Sequence, residues 1–153
     1  PIPLRMFRTP VVGEVLVKGI NLFTRGMLFG AGTIKRDRLT RRVKDAYLAP
    51  HPNWSSRTAI LQFPREIPAG PNGDVSDLNA EIEAGLERHF GDKPVKIMWA
   101  MKDIAFTPEM LDGLWLHTFP DAEVVKIPNA GHYLQEDAHE EIVPQLIEFL
   151  GRE

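Results

Sequence analysis

The sequence predicts an α/β protein whose parallel strands are covered by helices. Three observations carry that prediction. An apolar run from Val95 to Ala100 ends in Lys102-Asp103. A helix signal follows, with Thr107 as N-cap and Pro108 at the first helical position. A second apolar run, Val124 to Ile127, then ends in Asn129-Ala130-Gly131-His132. Strands this apolar need cover on both faces, as in a parallel sheet flanked by helices. Two strands alone do not make a stable sheet, so further strands are expected from another chain or from the rest of a larger fold.

The remaining elements follow in order. Residues 1–10 read as extended, punctuated by Pro1, Pro3 and Pro10, and no Met precedes them. The chain is therefore expected to start inside a longer polypeptide. Val12, Leu16, Ile20 and Phe23 recur at helical spacing and predict one or two amphipathic helices over residues 11–29. Core packing is the plain reading of that stripe, and a lid helix over a pocket is the functional one. Gly26, Gly30 and Gly32 mark a turn; no Gly-Lys-Ser/Thr follows, so they form no phosphate loop. Arg36 to Tyr47 reads as a helix with Leu39, Val43 and Tyr47 on one face, stopped by Ala49-Pro50-His51-Pro52. Trp54 to Phe63 reads as another short helix, ended by Pro64 and Pro68.

The clearest loop is Ala69-Gly70-Pro71-Asn72-Gly73, and the main internal boundary is placed near it. Ser76 then caps a helix carrying Leu78, Ile82, Leu86 and Phe90. Gly91 ends that helix, and Pro94 prevents its return. In the last helix Ile142, Val143, Leu146, Ile147 and Leu150 form the expected buried stripe. Pro144 either kinks this helix or starts its regular part.

Composition is that of a soluble globular domain, with 43% hydrophobic and 25% charged residues. A net charge of −3 argues against nucleic acid as the main partner. Charge is uneven: residues 1–45 hold 10 Lys+Arg against 3 Asp+Glu, and the remainder holds 8 against 18. Two differently solvated faces explain this; a basic surface meeting a partner or an anionic membrane is the sharper alternative. Cysteine is absent, which excludes disulfides and thiol chemistry. No cleavage-site pattern and no apolar run of roughly 20 residues is found, so a cytoplasmic location is expected.

In an open parallel sheet, ligands sit beyond the carboxyl ends of the strands. The loops after both runs therefore present Asp103 and His132 on one edge, an acid that can orient a base. Each residue has a bland reading: Asp103 as a turn or cap residue, His132 as structural or merely exposed. Gly131 favours the sharper one, because glycine lets the backbone bring an imidazole close to a site. His51, His89, His117 and His139 lack matching context, and His117 and His139 read as surface residues. Glu136 and Asp137 read as helix caps. His-Glu-x-x-His is absent, so no zincin site and no cofactor are expected. No Gly-x-Ser-x-Gly or Gly-x-Asp-x-Gly elbow occurs, so the nucleophile is expected outside these residues.

The segments WAMKDIAFTP and FPDAEVVKIPNAGHYLQED resemble the last third of α/β-hydrolases of the haloalkane dehalogenase group. There the chain order is nucleophile, acid, His. The resemblance implies that Asp103 is the acid and His132 the base, and that the fold is the C-terminal portion of an α/β-hydrolase. It implies a helical cap over residues 1–70 and the C-terminal part of the core over 71–153. The stretch AYLAPHPNWSSRTAILQFPREIP is similar to the cap's exit. Dehalogenases use an Asp nucleophile to displace halide from carbon, and one subgroup takes a halide-holding Trp from the cap. No Trp occurs here before Trp54, a departure from that subgroup. LVKGINLFTRGM and GHYLQEDAHEEIVP also resemble the β-lactone decarboxylases of long-chain olefin biosynthesis. The implied partners are a small apolar substrate in the full-length parent and either the missing N-terminal half or a second copy of this chain. A self-associating, non-catalytic module is the reading from a different class.

Overall fold

A computed structural model describes residues 4–67 and 76–151. The expected loop and boundary at residues 69–73 lie outside them. The described chain divides into two compact units. The first takes residues up to Gly30 and from Thr40 to Gly85; the second takes Ala31–Leu39 and residues from Leu86 onward.

The first unit is helical. It contains α1 (Leu4–Arg8), a π-helix (Glu14–Gly19), α2 (Leu22–Gly26), a second π-helix entered at Met27, α3 (Arg41–Leu48) and α4 (Thr58–Glu66). Helix α1 replaces the extended start expected there. Phe7 is buried with Val17 and Leu61 and meets Phe23 edge-on at 5.3 Å, and such packing stabilises a helix too short to persist alone. The expected stripe through residues 11–29 changes phase. Val12 N–H bonds the Pro10 carbonyl at 2.7 Å around Val11, whose φ is 65°, the strained form of γ-turn. Beyond it, Ile20 N–H reaches back five residues to the Val15 carbonyl. The wider π turn puts Gly13, Val17 and Asn21 inside and leaves Val11, Val15 and Ile20 exposed.

Two other helices depart from their expected bounds. The helix expected over Arg36–Tyr47 is a 3₁₀ turn (Arg36–Arg38) followed by α3, because Thr40 caps a new start by accepting the Val43 N–H at 3.4 Å. Helix α4 runs past Pro64 to Glu66, with Pro64 buried. Arg57 ties the unit together. Its guanidinium donates to the carbonyls of His51 (2.9 Å), Lys18 (2.8 Å), Gly19 (2.9 Å) and Pro52 (3.0 Å).

Helix α5 (Ser76–Phe90) takes in Ser76 as its first residue and ends before Gly91. The second unit then holds β1 (Lys96–Ala100), α6 (Pro108–Met110) continuing through a π turn into α7 (Leu116–Thr118), β2 (Glu123–Ile127) and α8 (Leu134–Leu150). The two strands are parallel, with Lys96 beside Glu123 and Ala100 beside Ile127. This is the C-terminal portion of an α/β-hydrolase fold: a helical cap region and two parallel strands with flanking helices. Ala100, Ile127, Ala130 and Ala138 form its core, with Met98, Val125, Leu134 and Ile142 packed against them.

The expected buried stripe of α8 is largely exposed. Only Ile142 reaches that core, while Val143, Leu146, Ile147 and Leu150 are 38–76% exposed. Two strands cover only the N-terminal part of a helix this long. Leu78, Ile82 and Phe90 of α5 are exposed in the same way. The break in α8 falls at Ala138 (φ −144°), and the helix continues regularly through Pro144.

Arg38 and Glu140 pair at 2.7 Å within the second unit. The guanidinium hydrogen bond holds the Glu140 carboxyl at about 2, down from its ordinary 4.5. A carboxyl depressed by folding stabilises the fold fully above its unfolded pKa, and the contribution is lost as pH falls through the folded one. Thermal midpoints should therefore drop between pH 4.5 and about 2. Glu140→Gln should flatten that part of the profile; an unchanged slope in the variant would assign it to other carboxylates.

Candidate active site

The site begins with the parallel register of β1 and β2. Beyond the last strand pair, Met101 N–H bonds the Ile127 carbonyl and Lys102 N–H the Ala130 carbonyl, both at 3.0 Å. The Lys102 ammonium also donates to Asn129 Oδ1 at 2.9 Å. The two loops thus leave the sheet as a zipped pair, and their next residues, Asp103 and His132, meet. His132 Nδ1 lies 3.0 Å from Asp103 Oδ2 and 3.1 Å from Oδ1. An ionised carboxylate only accepts, so this geometry calls for the Nδ1–H tautomer and leaves Nε2 as the basic nitrogen.

Asp103 is held by its own loop. Its Oδ1 accepts the N–H groups of Ala105 (2.7 Å) and Phe106 (3.2 Å), an Asx-type turn that fixes the carboxylate before the imidazole arrives. The Asp103 side chain is 7% exposed and that of His132 27%. Phe106 stacks on His132 with ring centres 5.5 Å apart and planes 18° from parallel. The Tyr133 ring lies tilted beside that of His132, with centres 5.9 Å apart, and burial pushes its phenol pKa up.

A cleft of about 180 Å³ opens here. Met98, Trp99, Ala100, Phe106 and Leu134 line it beside Asp103 and His132. Most of this lining is apolar, and Asp103 and His132 are its ionisable members. Among the described residues, no three His, Asp or Glu side chains gather as a metal site. None of the described helices is long and apolar enough to cross a membrane.

The other histidines stay apart. His51 Nδ1 lies 3.2 Å from the Ser56 carbonyl, and His89, His117 and His139 are exposed. Thr107 holds the N-cap position of α6, but its hydroxyl caps no backbone group; its hydrogen bond to Glu109 lowers that carboxyl's pKa. Gly131 is needed for a reason other than backbone bending, since none of the described glycines has positive φ. A Cβ there would lie 3.1 Å from the Gly32 carbonyl oxygen and 3.5 Å from Asp137 Oδ2. The sequence reading missed Asp137. It is fully buried rather than a simple helix cap, and its carboxylate accepts N–H groups from Gly131, Ile34 and Lys35. The signal available was an acid in the first turn of the last helix, which by itself does not separate a cap from a buried anchor.

No protein-family model matches the chain. Individual relatives do. The cis-3-alkyl-4-alkyloxetan-2-one decarboxylase of Xanthomonas campestris pv. campestris is 34% identical over 152 residues, 99% of this chain and 49% of that protein. The enzyme of the same name from Shewanella oneidensis is 31% identical over 152 residues, 98% of this chain and 46% of its own. Haloalkane dehalogenase 2 of Mycobacterium tuberculosis is 33% identical over 147 residues, 96% of this chain and 48% of its own. The crystal structure of haloalkane dehalogenase DbeA from Bradyrhizobium elkani USDA94 matches with a TM-score of 0.84 at 28% identity, covering 96% of this chain and 49% of DbeA. The chain spans about half the length of the curated relatives it matches.

Gly131→Ala should destabilise the second unit by about 1–3 kcal/mol, because the added methyl meets backbone rather than a flexible side chain. Urea unfolding measures this. A loss within error of zero would show that the loop shifts freely.

Proposed function

We infer, for a chain with the fold of the C-terminal portion of a haloalkane dehalogenase-like α/β-hydrolase, that Asp103 and His132 are the acid and base of nucleophilic displacement. The hydrogen bond between His132 Nδ1 and the Asp103 carboxylate, in the lining of a largely apolar cleft, carries this reading. The resemblance to haloalkane dehalogenases implies an Asp nucleophile, and no elbow motif that would carry it occurs in these residues.

In the reaction, that Asp carboxylate attacks the halogen-bearing carbon of an alkyl substrate. The carbon–halogen bond breaks, halide leaves with the electron pair, and an alkyl ester of the enzyme forms. His132 Nε2 then takes a proton from water as the oxygen attacks the ester carbonyl. Asp103 keeps the imidazole in the right tautomer and stabilises the imidazolium as it develops. Collapse of the tetrahedral intermediate frees the alcohol and restores the carboxylate.

A second reading takes the same pair to an oxetan-2-one. The relatives matched over 152 residues favour it, since their names specify a four-membered lactone with alkyl groups at two carbons. Loss of CO2 from such a ring leaves an alkene. The products separate the two readings: halide and alcohol from one, CO2 and alkene from the other.

These residues alone should turn over neither substrate. In a polypeptide that joins them to the Asp-bearing elbow, His132→Ala should permit the first displacement and trap the covalent enzyme, seen as added mass on the nucleophile. Asp103→Asn should slow the same step less severely, because the imidazole remains in the wrong tautomer. Normal turnover by His132→Ala would move the base to another residue.

The exposed apolar residues of α5 and α8 favour association with the missing half or with a second copy of the chain. Sedimentation of the isolated chain should show dimers or larger species, reduced by Ile147→Lys with Leu150→Lys. A monomer at high concentration would count against this surface as an interface.

A further inference from the structure

The acid–base reading leaves the buried carboxylate of Asp137 without a role. Asp137 is 0% exposed. Its Oδ2 accepts the N–H of Gly131 at 2.8 Å and that of Ile34 at 2.9 Å; Oδ1 accepts Lys35 N–H at 2.8 Å and shares Ile34 N–H at 3.1 Å. The Lys35 ammonium donates to the main-chain oxygen of Asp137, at 2.7 Å, and not to the carboxylate. Backbone N–H groups therefore satisfy this anion. Those groups come from two segments about a hundred residues apart in sequence, and both belong to the second unit.

The bonds bracket His132. On its N-terminal side, Gly131 N–H is fixed by Asp137. On its C-terminal side, Tyr133 N–H donates to the Gly32 carbonyl at 2.6 Å. The peptide groups on either side of the imidazole are thus anchored to residues 32–35. Gly131 has no side chain where one would press on the Gly32 carbonyl, which lets the two segments approach this closely.

We propose that Asp137 is a positioning residue for the base. By clamping the Gly131 peptide to Ile34 and Lys35, it sets the His132 ring at hydrogen-bond distance from Asp103 in the Nδ1–H tautomer. This rests on the reading of Asp103 and His132 as acid and base. A buried carboxylate suits the task because its acceptor sites can hold several N–H groups at once. An amide in its place keeps a single acceptor oxygen and turns an NH₂ toward N–H donors. The imidazole would then sample ring positions out of line with Asp103, and reaction rates respond steeply to displacements of about 1 Å.

The test is NMR of the full chain with nitrogen-labelled histidine, which reads the tautomer of His132 and the solvent exchange of its Nδ1 proton. The wild type should show the Nδ1–H tautomer with a protected proton. Folded Asp137→Asn, judged by unchanged β1 and β2 amide signals, should show mixed tautomers and at least about tenfold faster Nδ1–H exchange. An unchanged tautomer and exchange rate in the folded variant would overturn the proposal. Should the variant not fold, wild-type hydrogen exchange decides the matter. The clamp requires the Gly131, Ile34 and Lys35 amides to share one protection level, and exchange rates for Gly131 more than about tenfold from the other two would sink it. Asp103→Asn in the same experiment isolates the reading beneath: if that variant leaves the His132 tautomer untouched, the acid–base pair fails whatever Asp137 does.

Discussion

The parallel register of β1 and β2 is the constraint on which the site depends. A slip of one residue would turn every side chain to the other face and move the two loop residues apart. Lys96 locks that register from the far end. Its side chain is 1% exposed, and its ammonium bonds Glu123 Oε1 across the strands at 2.7 Å and Gln145 Oε1 on α8 at 2.6 Å. A buried ammonium left without these partners would be strongly disfavoured, so alternative registers are penalised. At the other end, the Met101 and Lys102 N–H groups extend the pairing past the strands and deliver Asp103 and His132 to one point. The register is pinned by charge at one end and by backbone at the other, with the apolar pairs Ile97–Val124 and Met98–Val125 between them.

Where the sequence was legible, local pattern and tertiary demand agreed. The runs Val95–Ala100 and Val124–Ile127 are short and mostly apolar, as strands are, and the loops after them carry ionisable residues at matching positions. That was enough to bring Asp103 and His132 together. The fold class came through for the same reason. Legibility failed where the backbone left the period the reading assumed. Around the π turn over Glu14–Gly19 the buried positions are Gly13, Val17 and Asn21, one residue out of phase with the stripe counted from Val12. The break at Leu39-Thr40 was readable in principle, since Thr40 is a good N-cap, but the continuous apolar spacing on both sides of it outweighed the cap. The stripe on α8 was read correctly as apolar; the described residues do not supply the surface it would cover.

The anchors invisible in the sequence share one chemistry. Arg57 spends its guanidinium on four carbonyls, Asp137 its carboxylate on three N–H groups, and Asp103 accepts two N–H groups of its own loop. Each is a charged side chain paired with backbone. Such bonds involve no complementary residue type, so no charge pattern announces them. They are strong, because one partner is ionised, and they fix main-chain geometry directly. The connection from Gly32 to Leu39, whose regular part is the 3₁₀ turn Arg36–Arg38, is held this way in the second unit.

The two aspartates beside His132 show how neighbouring carboxylates take different tasks. Asp137 is closed: it is fully buried, and its carboxylate accepts the backbone N–H groups of Ile34, Lys35 and Gly131. Asp103 is left open on one side. Its Oδ1 is shared between the loop amides and the imidazole, while Oδ2 faces only Nδ1 among its hydrogen-bond partners. The first arrangement fixes a loop; the second keeps one oxygen for the imidazole of His132. Phe106 completes the division by following Asp103 in the same turn and laying its ring on the imidazole, so the residue whose N–H donates to Asp103 also covers one face of the His132 ring. Carboxylate and ring therefore both hold the His132 imidazole, one through its Nδ1 and the other through its π face, and a single turn after β1 supplies both.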